Sequence, residues 1–178
     1  MAGFAAIGWN GKGVSSFRLP AGTVQAAELA LLRRSPAAKA VLPPPLVQAV
    51  IDDAQRYFVG GCVDFTGVPV DLGAQQPFFE RVYGVVRQLG WGETATYGVI
   101  AKRLEAGPEF ARDVGQAMAA NPVPLIIPCH RVTAANGQIG GFSAPGGSLS
   151  KARMLEIEGV EVKAGIVTRD TPQLGLGF

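Results

Sequence analysis

Apolar residues at Leu46, Val47, Val50, Ile51, Ala54 and Phe58 recur every three or four positions, which predicts an amphipathic helix over 46–58. Pro43-Pro44-Pro45 punctuates the chain just before it. Upstream, the short apolar stretches Phe4 to Trp9 and Val14 to Leu19 are joined by Asn10-Gly11-Lys12-Gly13, a hairpin signature, and a helical stretch follows from about Val24 to Arg34. Cys62 to Val70 alternates as an extended segment does, and Gly73 to Gln76 reads as a linker. From Pro77, which suits the first position of a helix, Phe78, Val82, Val86 and Leu89 form one face that Gly90-Trp91-Gly92 ends. Thr96 can cap a second helix, Tyr97 to about Leu104. After the turn Ala106-Gly107-Pro108 a third helix is expected from Glu109 to Ala120, acidic at its start as the helix dipole favours. Two helices joined by a glycine-containing turn resemble a helix-turn-helix.

The apolar run Leu125-Ile126-Ile127 reads as a strand leaving the core, followed by Pro128-Cys129-His130-Arg131-Val132. Asn136-Gly137 marks a turn, and Gly140 to Gly147 is rich in glycine. A last helix is expected from about Ser148 to Glu158, ended by Gly159, then a strand over Val160 to Val167 and a loose tail beyond Thr171. The order of elements predicts an α/β (α+β) protein, and its change of texture divides the chain into 1–75 and 76–178.

Composition narrows the function. The 178 residues are 48% hydrophobic and 17% charged, enough apolar material for a core and too little charge for disorder. There is no apolar run long enough to span a membrane, and Met1 to Asn10 lacks the pattern of a signal peptide, so a cytoplasmic protein is expected. A net charge of +2 neither demands nor forbids nucleic acid, because a local basic stripe suffices. The two cysteines, Cys62 and Cys129, are too few for a disulfide framework and are expected as free thiols, with Cys62 chemically idle. His130 is the only histidine, which argues against a mixed Cys/His zinc site.

Chemistry points to Cys129. Most cysteines are inert, buried, small hydrophobes. A reactive one needs a base or cation to make it a thiolate, and the sole imidazole lies next to it. Neighbours on an extended segment point opposite ways, so a bend or a bridging water must bring His130 to Cys129.

The segment from Asn121-Pro122-Val123-Pro124 to Pro128-Cys129-His130-Arg131-Val132 resembles the active-site segment of the O6-alkylguanine-DNA alkyltransferases, the methylated-DNA–protein-cysteine methyltransferases. Similarity extends through Gly92-Glu93-Thr94-Ala95-Thr96-Tyr97-Gly98, Ala111-Arg112-Asp113-Val114-Gly115, Gly141-Phe142-Ser143 and Ile157-Glu158-Gly159, over roughly residues 77–160. Residues 1–75 share only an architectural likeness, to the family's ribonuclease-H-like N-terminal domain. The resemblance implies a mainly helical, winged-helix-like second domain that carries the helix-turn-helix. It implies a monomer that takes an alkyl group from O6-alkylguanine in double-stranded DNA, once, with no cofactor; the metal site of some relatives has no possible ligands in this sequence, so no metal is expected.

Residue by residue, the resemblance makes Cys129 the acceptor. His130 relays its proton through a water, and Glu158 holds the imidazole in the useful tautomer. Asn121 orients the thiol, while Tyr97 and Lys151 donate hydrogen bonds as guanine leaves. Arg112 enters the base stack behind a flipped nucleotide. Thr96, Tyr97, Ala111 and Gly115 would approach DNA with it, and Pro124, Val132, Gly141, Phe142 and Ser143 would line the base pocket. Each residue also has a plainer reading. Asn121 can stop a helix, Tyr97 can be a half-buried aromatic, Arg112 a surface arginine, and Lys151 and Glu158 solvated helix residues. The glycine-rich loop and the turn before Glu109 are longer than in the shortest family members, and Asp113 sits on the presumed DNA helix.

Three other readings compete. A damage sensor of the same family would bind alkylguanine without transfer, but such relatives carry tryptophan where Cys129 stands. A helix-turn-helix regulator of the adaptive-response kind would carry a further zinc-bound cysteine cluster. A cysteine hydrolase would need a turnover route that Cys–His adjacency does not readily provide.

Overall fold

The computed structural model describes residues 3–168, so the tail expected beyond Thr171 lies outside the described residues. Strands β1 (Phe4–Asn10) and β2 (Gly13–Ala21) pair antiparallel across the expected turn, where Asn10 accepts from the Lys12 amide. Helix α1 (Val24–Leu32) starts at Thr23, whose hydroxyl accepts from the Ala26 amide. Helix α2 (Pro45–Phe58) buries Val47, Val50, Ala54 and Tyr57. Its periodic face is therefore shifted from the expected one, with Leu46 largely exposed.

The segment Cys62 to Val70 is not a strand. Asp64 accepts from the Thr66 amide and hydroxyl, and the Val68 amide bonds back to Phe65, so the chain turns there. Only its end joins β2, at the Val14–Val70 bridge.

Helix α3 (Pro77–Val86) opens on Pro77 as expected. A two-residue strand β3 (Ala95–Thr96) leads directly into α4 (Tyr97–Arg103), where the Thr96 hydroxyl accepts from the Val99 amide. Pro108–Phe110 forms a 3₁₀ turn, and α5 runs from Ala111 to Ala120, so it begins after the expected Glu109. The Phe110 amide bonds Gly107 and its ring packs on Phe78, which holds this turn apart from the helix proper.

Leu125-Ile126-Ile127 is buried but not a strand. Leu125 has φ +81°, and Pro122, Pro124 and Pro128 remove the amide donors a sheet would use. The loop is instead held by Asn121. Strand β4 (Val132–Thr133) pairs in parallel with β3. Helix α6 (Gly147–Ile157) is followed by a small hairpin, β5 (Val162–Lys163) and β6 (Ile166–Val167), where one strand was expected. Ala164 and Gly165, both at positive φ, turn the chain back.

Among the described residues the main core joins both segments, and a smaller cluster gathers Ile139, Leu155, Val160 and Val167. Val14, Phe17, Tyr57 and Phe65 from the first segment pack in the same cluster as Val82, Ile100, Val114, Ile127 and Met154. Backbone and side-chain bonds reinforce it: the Phe17 amide donates to Pro122, and Arg87 donates to the carbonyls of Thr66 and Val68. This docking fixes the loop carrying Cys129 against both segments. Among the described residues, no helix is long and apolar enough to cross a membrane.

Candidate active site

Cys129 opens a 3₁₀ turn, Cys129–Arg131, closed by the Arg131 amide on the Pro128 carbonyl. The chain bends here, but no hydrogen bond joins the thiol to the imidazole among the described residues. The bend turns His130 wholly into the interior while Cys129, 5% exposed, stays at the base of two cavities. Asn121 pins the loop from below: its amide nitrogen donates to Ile127 O at 2.9 Å and its oxygen accepts from the Val123 amide at 3.0 Å.

Behind the thiol lies a buried polar network centred on Glu158. His130 Nε2 is 2.7 Å from Glu158 Oε1. Arg131 holds the same carboxylate with two nitrogens, Nε at 2.8 Å and Nη2 at 3.0 Å. The Gly92 amide donates to Oε2 at 3.1 Å, and Tyr57 Oη donates to Oε1 at 2.9 Å. Gly92 sits at φ +72°, with room for a Cβ only 3.1 Å from the Glu158 carbonyl, so glycine suits this approach.

The charges follow from this packing. Burial raises the Glu158 pKa, but the charge and hydrogen bond of His130 and the Arg131 guanidinium outweigh it and bring the carboxyl to about 2. Burial holds His130 below its ordinary value against the pull of Glu158, aided by Arg131 and Lys151. With a neutral ring, Arg131 is the cation that keeps Glu158 ionised. An ionised carboxylate only accepts, so Nε2 carries the proton and Nδ1 is the free lone pair. Nδ1 is buried and has no hydrogen-bond partner among the described residues. Burial likewise pushes the Cys129 thiol up, against the Asn121 hydrogen bond, the Lys151 charge and its own and the His130 amides. The resting sulfur is therefore a thiol, and the unprotonated His130 nitrogen makes no hydrogen bond to it.

Lys151 is 1% exposed, so it is no solvated helix residue. Its Nζ donates to Val132 O at 2.6 Å and lies 5.7 Å from the centre of the Tyr97 ring. Burial lowers its pKa to about 8, with the Cys129 charge opposing. Parallel pairing of β3 with β4 places Tyr97, the first residue of α4, beside this lysine. Gly140 (φ +73°) passes so close to Tyr97 that a Cβ would stand 3.2 Å from the phenol oxygen.

The smaller cavity, about 330 Å³, is lined by Tyr97, Gly115, Met118, Ala119, Cys129, Gly141, Phe142 and Ser143. The larger, about 720 Å³, starts at the same sulfur and passes Asn121 and Pro124. Tyr97, Gly115, Gly141, Phe142 and Ser143 thus meet at one cavity, and Pro124 borders the other. Val132 does not line either of them. It is fully buried in the core, and its carbonyl serves as the Lys151 acceptor. Thr96 spends its hydroxyl on capping α4. Ala111 and the exposed Arg112 occupy the first turn of α5, and Arg112 makes no hydrogen bond or ion pair among the described residues.

Sequence reasoning missed Tyr57 and Arg131. Tyr57→Phe is expected to raise the His130 pKa, because an undivided carboxylate charge favours the imidazolium. Titration of this single histidine by NMR reads the effect directly; an unchanged or lower midpoint would show that the phenol does not tune the pair. Leaving Glu158 one donor short should also cost about 1 kcal/mol.

Residues 77–160 match the family model for the 6-O-methylguanine DNA methyltransferase, DNA binding domain. A methylated-DNA–protein-cysteine methyltransferase of Methanopyrus kandleri is 44% identical over 108 residues, 60% of this chain and 76% of that protein. The chain belongs to the methylated-DNA–protein-cysteine methyltransferase family. A Sulfolobus acidocaldarius member is 46% identical over 109 residues, 61% of this chain; the match spans 65% of that relative's length. A Thermus thermophilus relative, 37% identical over 76% of this chain and 86% of its own, is named a DNA base-flipping protein. Among structures of the methyltransferase family, that of Mycobacterium tuberculosis OGT in complex with DNA superposes with a TM-score of 0.66 and 27% identity, over 87% of this chain and 86% of that one.

Proposed function

We propose that this protein repairs DNA by moving an alkyl group from O6 of guanine in double-stranded DNA onto Cys129, once per molecule. The observation that carries the reading is the thiol at the base of a cavity, in one 3₁₀ turn with a neutral imidazole whose Nε2 is held by an ionised, buried carboxylate. His130 Nδ1 takes the thiol proton through a water, as Glu158 stabilises the charge gained by the ring. The thiolate attacks the alkyl carbon, a C–S bond forms, and the C–O6 electron pair stays with guanine. Tyr97 and Lys151 offset that developing charge, Lys151 through its position against the Tyr97 ring. Asn121 orients the loop and the thiol. Atoms balance without a cofactor, and the thioether has no route back, so the protein is spent.

Access requires nucleotide flipping, because O6 is enclosed by the stack. In this reading α4 and α5 form a helix-turn-helix that meets the minor groove. Arg112 fills the space left behind, Ala111 and Gly115 permit close approach, and Thr96 and Tyr97 begin the facing helix. Gly141, Phe142 and Ser143 wall the base pocket, with Pro124 at its edge. We read residues 1–75 as a ribonuclease-H-like domain and 76–178 as a winged-helix-like alkyl-acceptor domain, in a cytoplasmic monomer. The name of the Thermus relative favours a second reading, base flipping without transfer; Cys129 favours the first.

Intact mass after mixing with a duplex containing O6-methylguanine separates them. The expected result is a gain of one methylene mass per chain, lost in Cys129→Ser and kept in Cys62→Ser, whose cysteine is exposed and free. Duplex binding with no gain in mass would make the protein a sensor.

A further inference from the structure

The larger cavity does not end at the thiol. From Cys129 it runs past Pro124 and Phe142 to Arg18, Arg33 and Arg34, and no acidic residue lines it. None of these three arginines forms an ion pair with a described carboxylate. Arg18 Nη2 bonds only the Ser16 hydroxyl, at 3.1 Å, while its Nε is buried with no partner. Arg34 Nη2 bonds the Ala120 carbonyl, at 2.7 Å, at the end of α5. Burial and then the charge of Arg34 lower the Arg18 pKa, so the cluster is close enough to repel itself. Arg33 and Arg34 are exposed and hydrated, but the idle buried Nε of Arg18 beside two further cations makes this end of the cavity favourable for an anion.

The two cavities share the sulfur, and this decides where that anion would come from. A flipped guanine in the smaller cavity, beside Tyr97 and Gly141, presents its O6 substituent to Cys129. A methyl group ends there. A longer substituent can extend past the sulfur into the larger cavity, which leads to the arginines.

We infer that this cavity is a specificity subsite for O6 substituents that end in an anionic group, the carboxyalkyl class, with Arg18, Arg33 and Arg34 as its charge-reading residues. The inference rests on the alkyl-transfer reading above. It predicts that a terminal carboxylate accelerates transfer relative to an uncharged group of the same shape. A backbone phosphate of the DNA offers the same chemistry, and the test separates the two sources.

Three duplexes of one sequence are compared by the rate of mass gain at Cys129: O6-methylguanine, O6-(carboxypropyl)guanine, and the carboxamide of the latter. The expected carboxylate-to-carboxamide rate ratio is about tenfold, the effect of one charge-assisted hydrogen bond. Arg33→Gln, at an exposed position, and Arg34→Gln should each pull that ratio towards one. A ratio of one or less in the unaltered protein, with methyl transfer intact, overturns the inference and leaves the repair reading standing. Equal slowing of all three substrates in the variants, with the ratio kept, would assign the arginines to DNA phosphate and overturn it too. Absence of methyl transfer to the unaltered protein would sink the repair reading itself.

Discussion

Replacing Glu158 with Gln is expected to cost about 3 kcal/mol of stability and to slow alkyl transfer by a factor of about 10² to 10³. The substitution keeps the shape of the side chain and removes its charge. Four groups then compete for one amide oxygen: Tyr57 Oη, the Gly92 amide, His130 Nε2 and the Arg131 guanidinium. Arg131 suffers most, since its side chain is 8% exposed and would lose its only ion pair among the described residues. The kinetic loss has a separate origin. An amide nitrogen facing Nε2 would favour the tautomer with the proton on Nδ1, which removes the lone pair that takes the thiol proton. Denaturant unfolding checks the first number and single-turnover mass gain the second. A protein that unfolds more easily but transfers at the original rate would reduce Glu158 to a structural role.

The same carboxyl sets an acid limit. Its folded pKa, about 2, lies below the ordinary carboxylate value of 4.5. The stabilisation from this ion pair is therefore complete above about pH 4.5 and is lost as pH falls towards 2. Glu158→Gln should flatten that part of the stability curve.

How much of this was legible in the sequence depends on how local each constraint is. Thr96 as a cap, Pro77 as a helix start and the Asn10–Gly13 turn obey rules confined to a few residues, and the structure has each of them. Cys129, His130, Asn121 and Glu158 were found through their motif, and the structure brings them together around one loop and one carboxylate. Tyr57 had no such signal. Its hydroxyl bonds Glu158 from 101 positions away, and in the sequence it is one more aromatic on an amphipathic helix. Arg131 sat inside the motif, yet nothing in its neighbours tells that it turns inward to share Glu158 with His130. The run Leu125-Ile126-Ile127 was misread because hydrophobicity reports burial and not conformation. The prolines around it and the Asn121 hydrogen bonds select a tight loop. Val132 was assigned to the pocket because it follows the reactive residues in sequence. The 3₁₀ turn between them faces its side chain into the core instead, and leaves only its carbonyl near the site.

Arg112→Ala should slow repair of O6-methylguanine in a duplex by about 10- to 100-fold while changing the reaction with free O6-benzylguanine by less than about threefold. The side chain is exposed in the first turn of α5 and makes no bond among the described residues, so its removal should leave stability within about 0.5 kcal/mol. Its effect must then come through DNA. Extruding a nucleotide costs a few kcal/mol of stacking and pairing, and a cation that occupies the gap and meets phosphates lowers that cost. About 1.4 kcal/mol of that help corresponds to each tenfold of rate. A free base needs no extrusion and approaches Tyr97, Gly115 and Cys129 through the cavity alone, which Arg112 does not line. The variant therefore separates reaching the damage from reacting with it. Equal slowing on both substrates would place Arg112 in the chemistry or the pocket architecture. An unchanged duplex rate would mean that α5 does not hold the stack open, and another residue would have to do so.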